Sequence, residues 1–358
     1  MPSLKEIKGR INSISSTLAI TSAMKMVAAA KLQKAQMAIQ NMLPYERRLH
    51  SMLIDLMGAM NISAAASEDG SVRGSGSAER GFAQSGDRLS LSNRHDLAGM
   101  DGAYSLMAQR EVRKVAIVAF ASNSSLCGAF NSNVIREATA VINEYRASGL
   151  RDSDIVVYSV GRKMAEAMRK LGFPSPADFT KMSDSPSYEA ASALAQELLD
   201  GFVSGRFDKV ELVYNHYKST SSQPTTRQTY LPLSLADATA DLQAGKIADS
   251  ASESDTNRGA EPVGAPVVRQ GSPTTEDLIV EPSKEALIAT LLPKVIRLRI
   301  FTTLLDSAAA EHAARTVAMQ LATDNGNDLL QELTLEYNKG RQQKITSEIL
   351  DLVGGSLQ

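Results

Sequence analysis

Ile7-Lys8-Gly9-Arg10-Ile11-Asn12-Ser13-Ile14-Ser15-Ser16-Thr17-Leu18-Ala19-Ile20-Thr21 sets apolar or small residues at Ile7, Ile11, Ile14, Leu18 and Thr21, in steps of four and three. After a gap at Lys25 the same steps run on through Ala28, Leu32, Ala35, Ile39 and Met42. This is the seam of a coiled-coil helix. Between Pro2 and Met57 the breakers are Gly9 and Pro44 alone, so a helix of roughly 80 Å is expected at 1.5 Å per residue. A globular domain is not thick enough to bury such a rod, which must project or pair with another long helix.

The other end of the chain offers that partner. Lys294 to Val353 contains no proline and only two glycines, Gly326 and Gly340. Val295, Leu298, Phe301 and Leu305 begin it with helical spacing, and Leu330, Leu333, Tyr337, Ile345, Ile349 and Leu352 continue it. Pro293 is read as lying in its first turn, where the missing N–H costs nothing. Between the two helices the pattern changes. Val115-Ala116-Ile117-Val118-Ala119-Phe120 is a continuous apolar run of strand length; Ile155 to Val160, Val210 to Tyr214 and Gln228 to Leu233 are further strand candidates. Helical patterns at Val134 to Ser148, Arg162 to Leu171 and Tyr188 to Phe202 alternate with them. Alternation of this kind predicts a small, largely parallel α/β domain.

The fold class expected is therefore α/β: a long antiparallel coiled coil of N- and C-terminal helices with an inserted Rossmann-like α/β domain. The divisions are an N-terminal helix over 1–60, a low-complexity insert over 61–110, the α/β domain over 111–242, a second flexible insert over 243–280 and the C-terminal helix over 281–358. Asn61 to Met100 carries eight Ser and six Gly without sustained apolar periodicity, and Gly245 to Thr275 mixes Gly, Pro, Ser, Thr and charges. Both are expected to be disordered.

Charge and chemistry narrow the function. With 38 Lys+Arg against 40 Asp+Glu among 358 residues, the chain has no overall basic surplus with which to neutralise nucleic-acid phosphates. Its first fifty residues nonetheless carry eight basic side chains against Glu6 and Glu46, a bias that suits an acidic partner surface. One cysteine, Cys127, excludes an internal disulfide and, with four scattered histidines, a Cys/His zinc site. No run reaches the eighteen apolar residues of a membrane span, and the start Met1-Pro2-Ser3-Leu4-Lys5-Glu6 lacks the order of a secretory signal. Phosphate-cradling loops, dinucleotide fingerprints, zinc-protease and nucleophile-elbow motifs are all missing. Cys127, in Ser125-Leu126-Cys127-Gly128-Ala129-Phe130-Asn131, follows a buried strand, yet no histidine can be placed beside it as a base; a packed structural thiol is the simpler reading. We expect no catalytic residue, cofactor or metal. Within Ala23-Met24-Lys25-Met26-Val27-Ala28-Ala29-Ala30-Lys31, small residues and two methionines wrap most of the helix, which favours partner contact.

Several blocks, in order, resemble the gamma subunit family of the F-type ATP synthase. They are Met24 to Lys31, Leu126-Cys127-Gly128 with Asn131, Ala314-Arg315 with Ala318-Met319, Ala322-Thr323-Asp324-Asn325, Asn338-Lys339-Gly340-Arg341-Gln342 and Ile345-Thr346-Ser347-Glu348. Ile345, Thr346, Glu348 and Asp351 meet the family signature Ile/Val-Thr-x-Glu-x-x-Asp/Glu, and Gly355 fits its later glycine. The resemblance implies the central rotor shaft of a proton-translocating ATP synthase, in which catalysis belongs to the beta subunits. It implies as partners the alpha and beta subunits of the head, the epsilon subunit and the membrane c-ring. One copy per complex is implied, with no nucleic acid, and a peripheral place on the cytoplasmic face of a bacterial inner membrane. By the same resemblance Met24 and Lys25 face an acidic moving loop of a beta subunit. Arg315, Gln342 and Thr346 lie along the zone that couples shaft to head, Leu350 to Leu357 sit in an apolar bearing, and Glu348, Asp351, Leu350 and Leu352 count among the partner-binding residues. The competing reading is a static coiled-coil adaptor with an α/β head.

Overall fold

The computed structural model describes residues 3–68, 106, 110–233 and 283–355; within these, positions 55, 57–68, 284, 285, 351 and 353–355 are described by backbone alone. The elements in chain order are α1 (Leu4–Glu68), β1 (Val115–Phe120), α2 (Phe130–Ala147), β2 (Ile155–Val160), α3 (Arg162–Lys170), α4 (Thr180–Asp184), α5 (Tyr188–Val203), β3 (Lys209–Asn215), β4 (Thr225–Leu231) and α6 (Lys284–Gly355), with a single 3-10 turn at Asp152–Asp154. Residues 61–68 are helical, and most of the two expected inserts lies outside the described residues.

Every seam position read from α1 is buried or half-buried, from Ile7 through Leu18, Thr21, Ala28 and Leu32 to Met42, while the positions between them are mostly exposed. The partner is α6, running antiparallel. Gly326 lies against Leu18 and Gly340 against Leu4, the hydroxyls of Thr323 and Thr21 are 3.2 Å apart, and Thr302 Oγ1 donates to Glu46 Oε1 at 3.1 Å. The glycines mark close approach: a Cβ on Gly326 would come within 2.6 Å of Leu18 Cδ2. A strict four-three spacing on both helices keeps the seam facing the partner.

One correction concerns the start of α6. It begins at Lys284, so Pro293 lies inside the helix and not in its first turn. An interior proline costs about 3 kcal/mol through its lost hydrogen bond and ring clash. Ile288, Leu292, Val295 and Ile296 on either side are buried in the main core, and each fully buried aliphatic side chain returns about 1.5–3 kcal/mol. Packing therefore carries the helix through the proline.

The sheet has the order β2-β1-β3-β4. β1 pairs parallel with both β2 and β3, and β4 closes the edge antiparallel to β3. All six residues of β1 are buried because both faces are covered. On one face Ala116, Val118, Phe120, Val210 and Leu212 meet Leu194, Ala195 and Leu198 of α5, Leu49, Leu53 and Leu56 of α1, and Ile288 to Leu304 of α6. On the other, Val115, Ile117, Ala119 and Val213 meet Val134, Ala138, Val141 and Ile142 of α2 and Met164 and Met168 of α3. The sheet thus hangs on the coiled coil at the end where α1 is leaving it and α6 is entering it. Gly161, at φ 95°, joins β2 to α3; a Cβ there would stand 2.1 Å from the Ala121 carbonyl oxygen, so only glycine fits.

Candidate functional site

In open α/β sheets a ligand crevice forms beyond the carboxyl ends of the strands, where chain order reverses. Here that point lies between β1 and β3, and the chain fills it with its own helix. The turn after β1 is built around Ser122, whose N–H and Oγ each donate to Asn131 Oδ1 at 3.0 Å. Cys127 is buried, with its Sγ 3.1 Å from Asn131 Nδ2 and 3.8 Å from Ser122 Oγ. It packs with Phe130 on Ala310 and Ala314 of α6. Among the described residues no imidazole is one of these neighbours. A cavity alongside, lined by Phe120, Ala121, Ser183, Ser307 and Glu311, has about 10 Å³ of space, room for one water and no substrate. What the turn binds is the shaft.

Arg315 secures that contact. It is 9% exposed; its Nη1 donates to Glu311 Oε1 at 2.6 Å and its Nη2 to Ser124 Oγ at 2.8 Å. Burial raises the Glu311 carboxyl above its ordinary value, and the Arg315 charge offsets only part of the effect. His312, on the next face, is pushed down to about 4 by burial and by the charges of Arg315 and Lys31, and so stays neutral at physiological pH. A buried ion pair adds little net stability, but with one partner removed the other is stranded. Its use here is to fix which residues of α6 meet the domain.

The remaining residues named from sequence are spread along the shaft. Met24 and Lys25 are half-buried, and their neighbours Met26 (64% exposed) and Val27 (58%) are exposed, as are Ile20 and Met37. Gln342, Thr346 and Glu348 are exposed, as are Leu350 and Leu352; Asp351 is on the same stretch of α6 by its backbone. Thr346 Oγ1 turns back to the Gln342 carbonyl at 2.9 Å, and Lys344 stands 3.7 Å from Glu348. From Arg341 to Leu350 every side chain is exposed, because α1 begins opposite Gly340 and α6 runs on without it.

Sequence reading missed the junction at the end of β3. His216 Nδ1 lies 2.6 Å from Asp306 Oδ2, the Tyr217 N–H donates to Asp306 Oδ1 at 2.9 Å, and Gln36 Nε2 donates to the Tyr217 hydroxyl at 2.6 Å. An adjacent His and Tyr at a strand end are a faint signal; their partners lie on two helices far away in the chain. Among the described residues no cluster of three or more His, Cys, Asp or Glu is placed to hold a metal, and no helix is long and apolar enough to cross a membrane.

Comparison with known proteins places this geometry. A family model described as ATP synthase matches residues 3–357. The chain is 46% identical over 357 residues to the ATP synthase gamma chain of Phocaeicola vulgatus, covering 100% of both. It is 36% identical over 356 residues to that of Flavobacterium johnsoniae, covering 99% of this chain and 98% of the other. Among solved structures it is similar to a chain of the Euglena gracilis mitochondrial ATP synthase, OSCP/F1/c-ring, in rotational state 3. There the TM-score is 0.51 and the identity 18%, with 98% of this chain and 92% of that one covered; this likeness shows the fold.

Proposed function

The chain belongs to the ATP synthase gamma-chain family, and on that premise we propose that it is the rotor shaft coupling proton flow through the membrane sector to the catalytic sites of an alpha/beta head. The observation that carries the reading is the end of α6: from Arg341 to Leu350 every side chain is exposed among the described residues, Ile345, Ile349 and Leu350 included. An apolar helix end of this kind needs an enclosing partner. In this proposal Leu350 and Leu352 turn in an apolar bearing of the head. Arg315, Gln342 and Thr346 lie along the coupling zone, Glu348 and Asp351 add further partner contacts, and Met24 and Lys25 meet an acidic loop of a beta subunit.

The shaft contributes no catalytic group. As it turns, each catalytic site meets a different face, and the difference in contact energy biases that site between open and closed states. The two sides of α1 supply such a difference: one is covered by α6, the other shows Ile20, Met26, Val27 and the basic side chains. The domain end is assigned to the c-ring and the epsilon subunit, one copy serves each complex, and the complex lies on the cytoplasmic face of the inner membrane. Co-expression with alpha and beta subunits tests the assembly. The expected product is an active ATPase of the mass of a hexameric head plus one copy of this chain; partners that fold and assemble without it would overturn the reading. Within that complex, Gln342→Ala with Thr346→Ala is expected to weaken ATP-driven proton pumping.

A further inference from the structure

We propose that Tyr217 is a positioning residue for torque transfer: a wedge that locks α1, α6 and the α/β domain into one rotating body. The inference rests on the shaft reading above and adds the place where the load crosses from domain to shaft. Tyr217 follows β3 directly. It is half-buried against the cluster that Leu32 of α1 forms with Ala309 and Ala313 of α6, which Ala35 and Ile39 also flank, and against the cluster of Cys127, Phe130 and Ala310 at the turn after β1. Its two ends are bonded in opposite directions, the hydroxyl to Gln36 of α1 and the backbone N–H to Asp306 of α6.

Behind it the hairpin is stiff. The His216 N–H donates to the Pro224 carbonyl at 2.9 Å, Asn215 Nδ2 donates to the Phe130 carbonyl at 3.1 Å, and Thr225 Oγ1 donates to Asn215 Oδ1 at 2.7 Å. A two-helix coiled coil resists separation through its seam, but sliding or twisting of one helix past the other is opposed mainly by whatever interlocks them sideways. A rigid aromatic side chain with two free torsions loses little entropy in that role. Packed against the α1–α6 seam and hydrogen-bonded to both helices, it converts a turn of the domain into a turn of the pair; coupling of this kind travels through contiguous packed and bonded groups.

The experiment measures protons pumped per ATP hydrolysed in inverted vesicles carrying the whole complex, with wild type, Tyr217→Phe, Tyr217→Leu and Tyr217→Ala. Phe173→Ala is the control: Phe173 is buried against the far face of the sheet, so its loss weakens the domain without touching the junction. The ratio is expected to fall at least about twofold in Tyr217→Ala, to fall less in Tyr217→Leu, and to return nearly to wild type in Tyr217→Phe, which keeps the wedge and loses one hydrogen bond. Should Tyr217→Ala fail to assemble, the Leu and Phe variants decide. A Leu variant pumping as wild type, or a Phe173→Ala variant as poorly coupled as Tyr217→Ala, overturns the proposal. A wild-type complex that assembles but does not pump sinks the shaft reading instead.

Discussion

His216 and Asp306 form a titratable bond between domain and shaft. The hydrogen bond to Asp306 raises the imidazole above its ordinary 6.5, against the opposing effects of burial and of Lys218. A group whose folded value is raised stabilises the fold fully below its unfolded value, and that contribution is lost as pH rises through the folded one. Wild type is therefore expected to melt above His216→Gln at about pH 6, with the gap narrowing by about pH 9; a constant gap in thermal melts would remove the charged pair from the account. Glu211 is a deeper case. Burial pushes its carboxyl up, but Arg227 at 2.7 Å, Lys209 at 2.6 Å and the Tyr145 hydroxyl at 2.6 Å overcome that and leave it below the ordinary value. Glu211→Gln keeps the shape but leaves Lys209 without this carboxylate and Arg227 with Glu144 alone, so a loss of about 2 kcal/mol is expected in denaturant unfolding of the domain.

Among the elements, the α1–α6 pair depends on small residues where the helices come closest. Gly340→Ala adds a Cβ 3.1 Å from the tip of Leu4, near the end of α1, where a half-exposed side chain can yield. Helix propensity then favours the variant by up to about 1 kcal/mol. Gly326 is a different case, since an added Cβ would stand 2.6 and 3.2 Å from two carbons of Leu18, which sits mid-seam. Gly326→Leu is expected to push the helices apart and cost about 1–3 kcal/mol by overpacking, read as a lower melting temperature of the helical signal. Equal behaviour of the two sites would mean that the seam is looser than these distances imply. Pro293 adds a lesson about element ends: the helix starts at Lys284, buries Ile288 and Leu292 ahead of the proline and Val295 and Ile296 after it, and the proline is absorbed.

At the scale of the whole molecule, the buried core and the exposed end of α6 lie in different parts. The core is concentrated where the sheet meets the inner ends of α1 and α6, and α6 beyond Gly340 touches nothing described in the chain. A chain ending at Gly340 should accordingly melt within about 1 °C of the full chain, since an exposed helix end contributes little to the global transition. Its assembled complex should lose coupled proton pumping. A clear drop in melting temperature would show that the end packs on the chain itself.

The four-three spacing of Ile7 to Met42 and the unbroken apolar run Val115 to Phe120 could be read directly, because helix seams and doubly covered strands impose their periods on any sequence that forms them. The blocks around Met24, Arg315 and Ile345 carried the family, and sequence also placed the candidate contacts at the two chain ends. Which of those residues face outward needed the tertiary structure. Arg315 bonds Glu311 and Ser124, Met24 and Lys25 are half-buried, and Met26 and Val27 beside them are exposed. The Tyr217 junction was beyond sequence altogether: Gln36 and Asp306 are brought to it by the folding of two distant helices, and local pattern holds no record of a contact made across 181 residues.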